Sequence, residues 1–578
     1  MAWKRPAGHL PEGFPEQFAD PCHLLYGRWS IETFLLRVRC IFVVLLQTTV
    51  PHSREGRFMA DVPPALHRPL HRISTQSHAT LWQRIFGRLA CGLLLAGSVL
   101  AIPLVPILAH SESDLQFTPG ALKQERNSAP TLSIRAGSPP YLQPPVVSAV
   151  ISDPTDPAAT QGIFLTVGDA ETAAQALTVS ATSSQPDVVP DQNLRWSGSG
   201  ANRVLKIIPI GVGYTEITIA VEDSDGNQTT TTINYAASAA FADGADYVCH
   251  TGGADLSTAV AVDRSFMFAA DNEDQLLRLY SRTRSGLPLA TFDFSNELDL
   301  PDTTKKGPRE VDLEASTRSG NLIYWIGSHS NASGGQARPN RARLFATAIE
   351  GRGAKATLRY VGRYDNLRTD LIEWDNRNGH GLGAEYLGFD AGTAKKKSPE
   401  EIDGFNIEGL TLAPDSTSTA YLGFRAPLLP ASDRTKALLV PITNFDQLVS
   451  DNPTQGTAEF GPPILMDLGG LGIRSIECSS GGCVIVAGSF DDASQFALYT
   501  WSGDPADAPV LSTPLDTNAI RGAYESIVEV PAKPDATSQV QLLADSGTID
   551  WYDEGADAKD LTEANLKKGC STVVPLSR

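Results

Sequence analysis

From residue 130 to about residue 237, apolar and polar residues alternate in short runs: Ile163-Phe164-Leu165-Thr166-Val167, Leu177-Thr178-Val179-Ser180-Ala181, Val204-Leu205-Lys206-Ile207-Ile208 and Thr215-Glu216-Ile217-Thr218-Ile219-Ala220-Val221. A period of two predicts strands buried on one face. Turn signals such as Ser197-Gly198-Ser199-Gly200 and Asp223-Ser224-Asp225-Gly226-Asn227 separate the runs. About seven short strands in this span predict an Ig-like β-sandwich.

Beyond residue 247 the pattern changes. Val311-Asp312-Leu313-Glu314, Phe405-Asn406-Ile407-Glu408-Gly409, Arg474-Ser475-Ile476-Glu477 and Ala523-Tyr524-Glu525 each open a strand-like run, and a second apolar run follows each of them. The first unit, Ser257 to Asp263, lacks the glutamate. Repetition of one supersecondary unit marks a radial or stacked architecture, and four strands per unit predict a five- or six-bladed β-propeller over 247–578. Two insertions interrupt it, at about 364–402, with helical spacing from Leu367 to Trp374, and at about 443–460. The fold class is therefore all-β, an Ig-like sandwich followed by a propeller.

The front end is different in kind. Arg84 and Arg88 precede Leu89-Ala90-Cys91-Gly92-Leu93-Leu94-Leu95, the apolar run continues to Leu108, and Ala109-His110-Ser111 offers small residues for cleavage. Residues 59–111 read as a signal peptide region, 1–58 as a doubtful extension, and 112–129 as a linker. Residues 1–110 carry 11 Lys+Arg against 6 Asp+Glu, leaving 36 against 60 in the remainder, within a formal charge of −19 for the whole. Such an acidic body repels nucleic acid and anionic membrane surfaces. Export predicts an extracytoplasmic protein, secreted or periplasmic, with no stable membrane span after cleavage. Four cysteines then remain, Cys249, Cys478, Cys483 and Cys570, an even count that favours disulfides. Cys478 and Cys483 flank the turn Ser479-Ser480-Gly481-Gly482 and could face each other across a hairpin. A bond between Cys249 and Cys570 would tie the first strand of the repeated region to its last.

The stretch Asp153-Pro154-Thr155-Asp156-Pro157-Ala158-Ala159-Thr160-Gln161-Gly162, with Gly198-Ser199-Gly200-Ala201-Asn202-Arg203, resembles the Ig-like or cadherin-like repeats of bacterial surface and secreted proteins. That resemblance implies a spacer and a calcium site, for which Asp169, Glu171, Asp223 and Asp225 are the candidate ligands; turn chemistry explains the same residues. Residues 247–578 resemble an uncharacterised bacterial family with a propeller-like fold and no assigned activity. The resemblance rests on Ile326-Gly327-Ser328-His329-Ser330, Asn406-Ile407-Glu408-Gly409-Leu410, Leu422-Gly423-Phe424-Arg425-Ala426-Pro427 and the run from Asp467 to Glu477. Asn406-Ile407-Glu408-Gly409-Leu410 is also similar to the strand starts of phytase-like and lactonase-type propellers, whose full ligand sets are not present here.

In a propeller the first strands line the central channel, so Glu314, Glu408, Glu477 and Glu525 are expected to ring its mouth. Clustered carboxylates need compensation, which Ca2+ or another cation would supply. Arg425 and Arg474 are the candidate ligand-binding cations. His329, Glu314 and Glu408 are the candidate catalytic groups of a calcium-dependent hydrolase of esters, lactones or phosphoesters. Structural glutamates paired with Arg425, Arg474 and Arg521, in a scaffold for protein contacts, remain the competing expectation. No Gly-x-Ser-x-Gly elbow, phosphate loop, His-Glu-x-x-His or Cys-x-x-Cys pair is present, which argues against serine hydrolases, nucleotide enzymes and zinc proteases. The leading reading is a cation or small ligand bound at an acidic mouth, with an unknown small molecule or protein as partner.

Overall fold

The computed structural model describes residues 127–577, apart from 136–139, 243–245, 451–455 and 492. All of them belong to one compact unit, Pro119–Arg578. The expected extension, signal peptide and most of the linker lie outside the described residues. Among the described residues no helix is long and apolar enough to cross a membrane.

The chain is mostly β. Its first eight strands are β1 (Thr131–Ile134), β2 (Val146–Val150), β3 (Ile163–Gly168), β4 (Thr178–Ser183), β5 (Leu194–Ser199), β6 (Asn202–Ile207), β7 (Gly213–Glu222) and β8 (Gln228–Ser238). They form two four-stranded sheets, ordered β1-β3-β6-β5 and β2-β8-β7-β4. The alternation seen in the sequence decides which side chains turn inward. Ile163 and Leu165 of β3, Leu205 and Ile207 of β6, Ile217 and Ile219 of β7, and Ile233 of β8 share one core between the sheets. Burying each such side chain stabilises the fold by about 1.5–3 kcal/mol, offset by the entropy of ordering it.

Strand β9 (Tyr247–Thr251) follows, and then five antiparallel sheets in chain order. The first sheet is β10 (Leu256–Ala261), β11 (Phe266–Asp271), β12 (Leu276–Ser281) and β13 (Ala290–Asp293). A two-residue pair, β14 (Thr303–Thr304) and β15 (Gly307–Pro308), leads to the second: β16 (Leu313–Ser319), β17 (Leu322–Gly327), β18 (Leu344–Glu350) and β19 (Thr357–Tyr364). The third is β20 (Asn406–Leu412), β21 (Ala420–Leu429), β22 (Lys436–Ile442) and β23 (Ile464–Met466). The fourth is β24 (Gly472–Ser479), β25 (Gly482–Gly488), β26 (Phe496–Trp501) and β27 (Val510–Leu515). The fifth, β28 (Ala523–Glu529), β29 (Gln539–Asp545) and β30 (Lys568–Pro575), takes its outer strand from β9.

The innermost strands pack on one another in turn: β10 beside β16, β16 beside β20, β20 beside β24, β24 beside β28, and β28 beside β10. Close approach demands small residues there. A Cβ on Gly409 would come within 3.0 Å of the Gly423 Cα and of the Ile476 Cγ2. Helix Leu367–Asn376, in the first insertion, buries Leu367, Leu371 and Trp374 in the core shared by the second and third sheets, as its spacing predicts.

Both expected disulfides are present. Cys478 and Cys483 are register partners across the β24–β25 hairpin, and Cys249 of β9 bonds Cys570 of β30 across 321 residues. The sandwich is fastened to the fifth sheet by two cations. Lys568 of β30 is fully buried and donates to the Ala149 carbonyl (3.0 Å) and the Ser238 hydroxyl (3.0 Å), over the Tyr552 ring. Burial brings its ammonium down to about 7. Arg521 donates to the Ala239 and Ala240 carbonyls (3.1 and 2.8 Å) and lies over Phe241.

Candidate functional site

The innermost strand of every sheet carries a β-bulge at the same place. Register slips between Leu256 and Thr258, Leu313 and Ala315, Ile407 and Gly409, Ile473 and Ser475, and Tyr524 and Ser526. The unpaired residues are Ser257, Glu314, Glu408, Arg474 and Glu525. A bulge re-aims one side chain out of the ladder, which is why such positions collect at functional rims. These five, not four glutamates, are the equivalent positions.

Glu477 is the correction. It stands three residues beyond its sheet's bulge, and its carboxyl accepts from Thr317 Oγ1 of β16 (3.5 Å), two sheets away. Burial pushes it well above the usual carboxylate range, with the Thr317 contact as a small counterweight. Arg474 takes the place expected of it.

Arg474 bridges its two neighbours. Its Nη1 donates to Glu408 Oε2 (3.1 Å) and Glu525 Oε1 (2.9 Å). Glu408 also receives Arg425 Nη1 (3.2 Å) and Asn406 Nδ2 (2.7 Å), so three donors hold it. Arg425 is anchored in turn on the carbonyls of Phe490 (2.8 Å) and Asp491 (3.0 Å). Burial raises Glu525 to about 8, Arg474 pulls it down, and the charges of Glu408 and Asp545 add to the rise. Glu314 makes no hydrogen bond or ion pair with a described residue. It is half-buried, and burial with the charges of Asp312, Glu408 and Glu525 drives it well above its ordinary value. Arg341 opposes that shift from a distance, because it is spent on Asp312 (2.7 Å) and Glu310 (3.1 Å).

A second tier of acids stands around the first and fifth sheets. Asp271, at the end of β11, accepts the backbone N–H groups of Ala254 (3.0 Å), Asp255 (3.2 Å) and Glu273 (3.0 Å). Asp545, at the end of β29, accepts Gly547 N–H (2.7 Å), and burial lifts it to about 6. Asp255 is 6% exposed, and its carboxyl has no hydrogen-bond or ion-pair partner among the described residues. Burial, with the charges of Asp545 and Asp271, lifts it to about 9. Glu408 and Asp271 are thus tied by donors, whereas the carboxyls of Glu314 and Asp255 are not, among the described residues. Among the described residues no three His, Cys, Asp or Glu side chains already converge as a metal site.

His329 does not reach this arrangement. It is 1% exposed, in a left-handed backbone conformation (φ 57°), with Nδ1 against the Arg341 carbonyl (3.0 Å) and Nε2 without a partner. Burial first, then the charge of Arg368, lowers it to about 3, so it is neutral and shut away from solvent where a hydrolytic base must be reachable. The sandwich acids are occupied locally. Asp223 and Asp225 both accept Asn127 Nδ2 (3.1 and 2.7 Å), Glu171 accepts Ser128, and Asp169 accepts the N–H groups of Glu171 and Thr172. These contacts fasten the incoming chain and the turns.

A sequence family described as a protein of unknown function (DUF3616) matches residues 389–531, the span that carries Glu408, Arg425, Arg474, Glu477 and Glu525. No curated protein matches the chain significantly. Among solved structures, domains 5–6 of the S-layer protein SbsC are similar at 14% identity over 40% of this chain and 83% of that one, with a TM-score of 0.15. A DUF4784 family protein from Bacteroides caccae is similar at 9% identity over 76% of this chain and 98% of that one, with a TM-score of 0.18. Scores this low carry no argument about fold or activity.

Proposed function

We propose that this is an extracytoplasmic binding protein in which a five-bladed β-propeller takes up a cation at an acidic central mouth. An Ig-like sandwich serves as its spacer. The cyclic packing of the five innermost strands supports the propeller, with β9 joining the last sheet as the closing strand. The two buried-face sheets of residues 131–238 support the sandwich. Two disulfides support an oxidising compartment.

The observation that carries the cation is that neither the Glu314 nor the Asp255 carboxyl has a hydrogen-bond or ion-pair partner among the described residues. Buried acids are ordinarily satisfied by donors or counter-charges. Purely structural glutamates would resemble Glu408, which has three donors; Glu314 has none and Asp255 has none. Burial and neighbouring carboxylates disfavour the charged form of each, and a cation arriving beside it would favour that form and offset the desolvation. Glu314 has no bond to break when it turns toward such an ion, and calcium takes six to eight oxygens of this kind. The test is calorimetric titration of the full chain with calcium chloride in two buffers of different ionisation enthalpy. Binding with proton release, absent from a Glu314→Gln, Asp255→Asn variant that melts normally, is the expected result. Heat identical in wild type and variant would refute the site.

A further inference from the structure

The junction between the sandwich and the fifth sheet buries two ionisable groups of opposite kind. Lys568, on β30, is 0% exposed, and Asp156, in the turn after β2, is 2% exposed. Both line one cavity of about 10 Å3, about the space that a single water molecule needs.

Each group is only partly satisfied. The Lys568 ammonium donates to the Ala149 carbonyl and the Ser238 hydroxyl of the sandwich, which uses two of its three N–H groups. Asp156 caps the short helix Pro157–Thr160, spending Oδ1 on the N–H groups of Ala158 (2.7 Å) and Ala159 (3.3 Å). Its Oδ2 is buried without a hydrogen-bond partner. The two groups do not meet, since Lys568 makes no ion pair among the described residues. Their surroundings compensate little. Strand β8 brings the Tyr235 hydroxyl, which is buried and likewise unpartnered. Strand β9, paired with β30, brings His250, which burial lowers to about 3 and so keeps neutral. The Trp551 and Tyr552 rings lie 5.5 and 4.9 Å from the ammonium. Asp153 favours the charge on Lys568 and opposes that on Asp156, and Arg521 opposes the charge on Lys568.

In water near neutral pH a carboxyl is an anion and a lysine amine a cation. Docking the sandwich must then bury two charges that are not in contact, or strip one of them of its charge, and either is costly. In acid the carboxyl is neutral before docking, and in alkali the amine is, so the cost falls on both sides. We propose that the junction is a proton-sensitive latch, with Asp156 and Lys568 as its sensing pair, that holds the sandwich least firmly near neutral pH. Burial and the charge of Asp153 lift Asp156 to about 7, so its cost grows as pH rises from about 4 to 7. Burial lowers Lys568 to about 7, so its cost fades as pH rises from about 7 to 10. The latch does not depend on a cation at the mouth.

The test is acetylation of the full chain by N-hydroxysuccinimidyl acetate at pH 7, 8 and 9, read by peptide mass spectrometry. Lys568 reacts only when the junction opens, and the exposed Lys306 is the internal standard that cancels the reagent's own pH dependence. Labelling of Lys568 relative to Lys306 is expected to fall about twentyfold from pH 7 to pH 9. Urea unfolding of Lys568→Met and Asp156→Asn, which keep the apolar stem and the helix cap, separates the two members. From pH 7 to 9 the wild type should gain about fiftyfold in folding constant over Lys568→Met. From pH 5 to 7 it should lose about fiftyfold against Asp156→Asn. A labelling ratio that stays constant or rises from pH 7 to 9 overturns the proposal. So does a difference between wild type and either variant that is flat across its pH window.

Discussion

Arg474→Met tests how the mouth is held together. The guanidinium makes two charge-assisted hydrogen bonds through one nitrogen, at 3.1 Å to Glu408 and 2.9 Å to Glu525. Glu408 keeps Arg425 and Asn406 in the variant, whereas Glu525 loses the one ion-pair partner it has among the described residues. Each such bond contributes about 1.5–3 kcal/mol, and methionine regains part of the packing that the arginine makes over Phe496. A loss of about 3–5 kcal/mol at pH 7 follows, in the range for breaking a buried pair. The pH dependence is the sharper part. Glu525 titrates at about 8 with Arg474 beside it, because the cation partly offsets the effect of burial. Without the cation the carboxyl keeps its proton at higher pH. Above pH 8 the unfolded chain and the folded wild type have both released that proton, while the folded variant still holds it. The variant therefore loses a further ~1.4 kcal/mol per pH unit there. Urea unfolding of both proteins at pH 7 and pH 9, followed by tryptophan fluorescence, measures both quantities. A loss below about 1 kcal/mol at pH 7, or an equal loss at both pH values, would refute the bridge as described.

Asp255→Asn should raise the melting temperature at pH 7. Holding a carboxyl of ordinary value 3.8 at about 9 penalises the folded state, and an amide recovers about 1–3 kcal/mol of it; a lower melting temperature by calorimetry would count against this. Stability of the wild type should fall as pH rises from about 5 to 8, the reverse of ordinary acid lability. Asp255, Glu525, Asp156 and Asp545, raised to about 9, 8, 7 and 6, stay protonated in the folded state after the unfolded chain has ionised; urea midpoints that climb steadily across that window would contradict it. Replacing Cys249 and Cys570 by alanine should destabilise more than replacing Cys478 and Cys483. The loops are 321 and 5 residues, for which chain entropy gives about 6 and about 2 kcal/mol, and equal losses in urea would speak against closure by β9.

Much of the scaffold was legible because period two survives folding. Ile163, Leu165, Ile217 and Ile219 turn inward as their alternation requires, and the helix from Leu367 buries the residues its spacing selects. The mouth was only half legible, for a physical reason. Each innermost strand slips by one residue, and one residue reverses the face of everything beyond it. Aligning the units on glutamate placed Glu477 with Glu314, Glu408 and Glu525. Aligning them on a large apolar residue, any residue, then a small one gives Leu256-Ser257-Thr258, Leu313-Glu314-Ala315, Ile407-Glu408-Gly409, Ile473-Arg474-Ser475 and Tyr524-Glu525-Ser526. The small residue is required by the close packing of innermost strands, as at Gly409. Asp255 had no such signal, since its burial depends on Asp271 and Asp545 arriving from other strands.

The same five positions also separate what fastens the mouth from what it could hold. Arg474 replaces an acid in one sheet and ties the two flanking sheets through Glu408 and Glu525. That leaves Ser257 and Glu314 as neighbours with no bridging cation, and Ser257 turns its hydroxyl to the Leu313 carbonyl. The charge imbalance is therefore not spread around the mouth. It falls in two places: Asp255 feels the charges of Asp545 and Asp271, and Glu314 those of Asp312, Glu408 and Glu525. Were all the acids there to hold sheets together, substitution of any of them would destabilise. Substitutions on opposite sides of the mouth should instead have opposite signs: Arg474→Met loosens the fold, while Asp255→Asn tightens it and removes the place where a cation would bind.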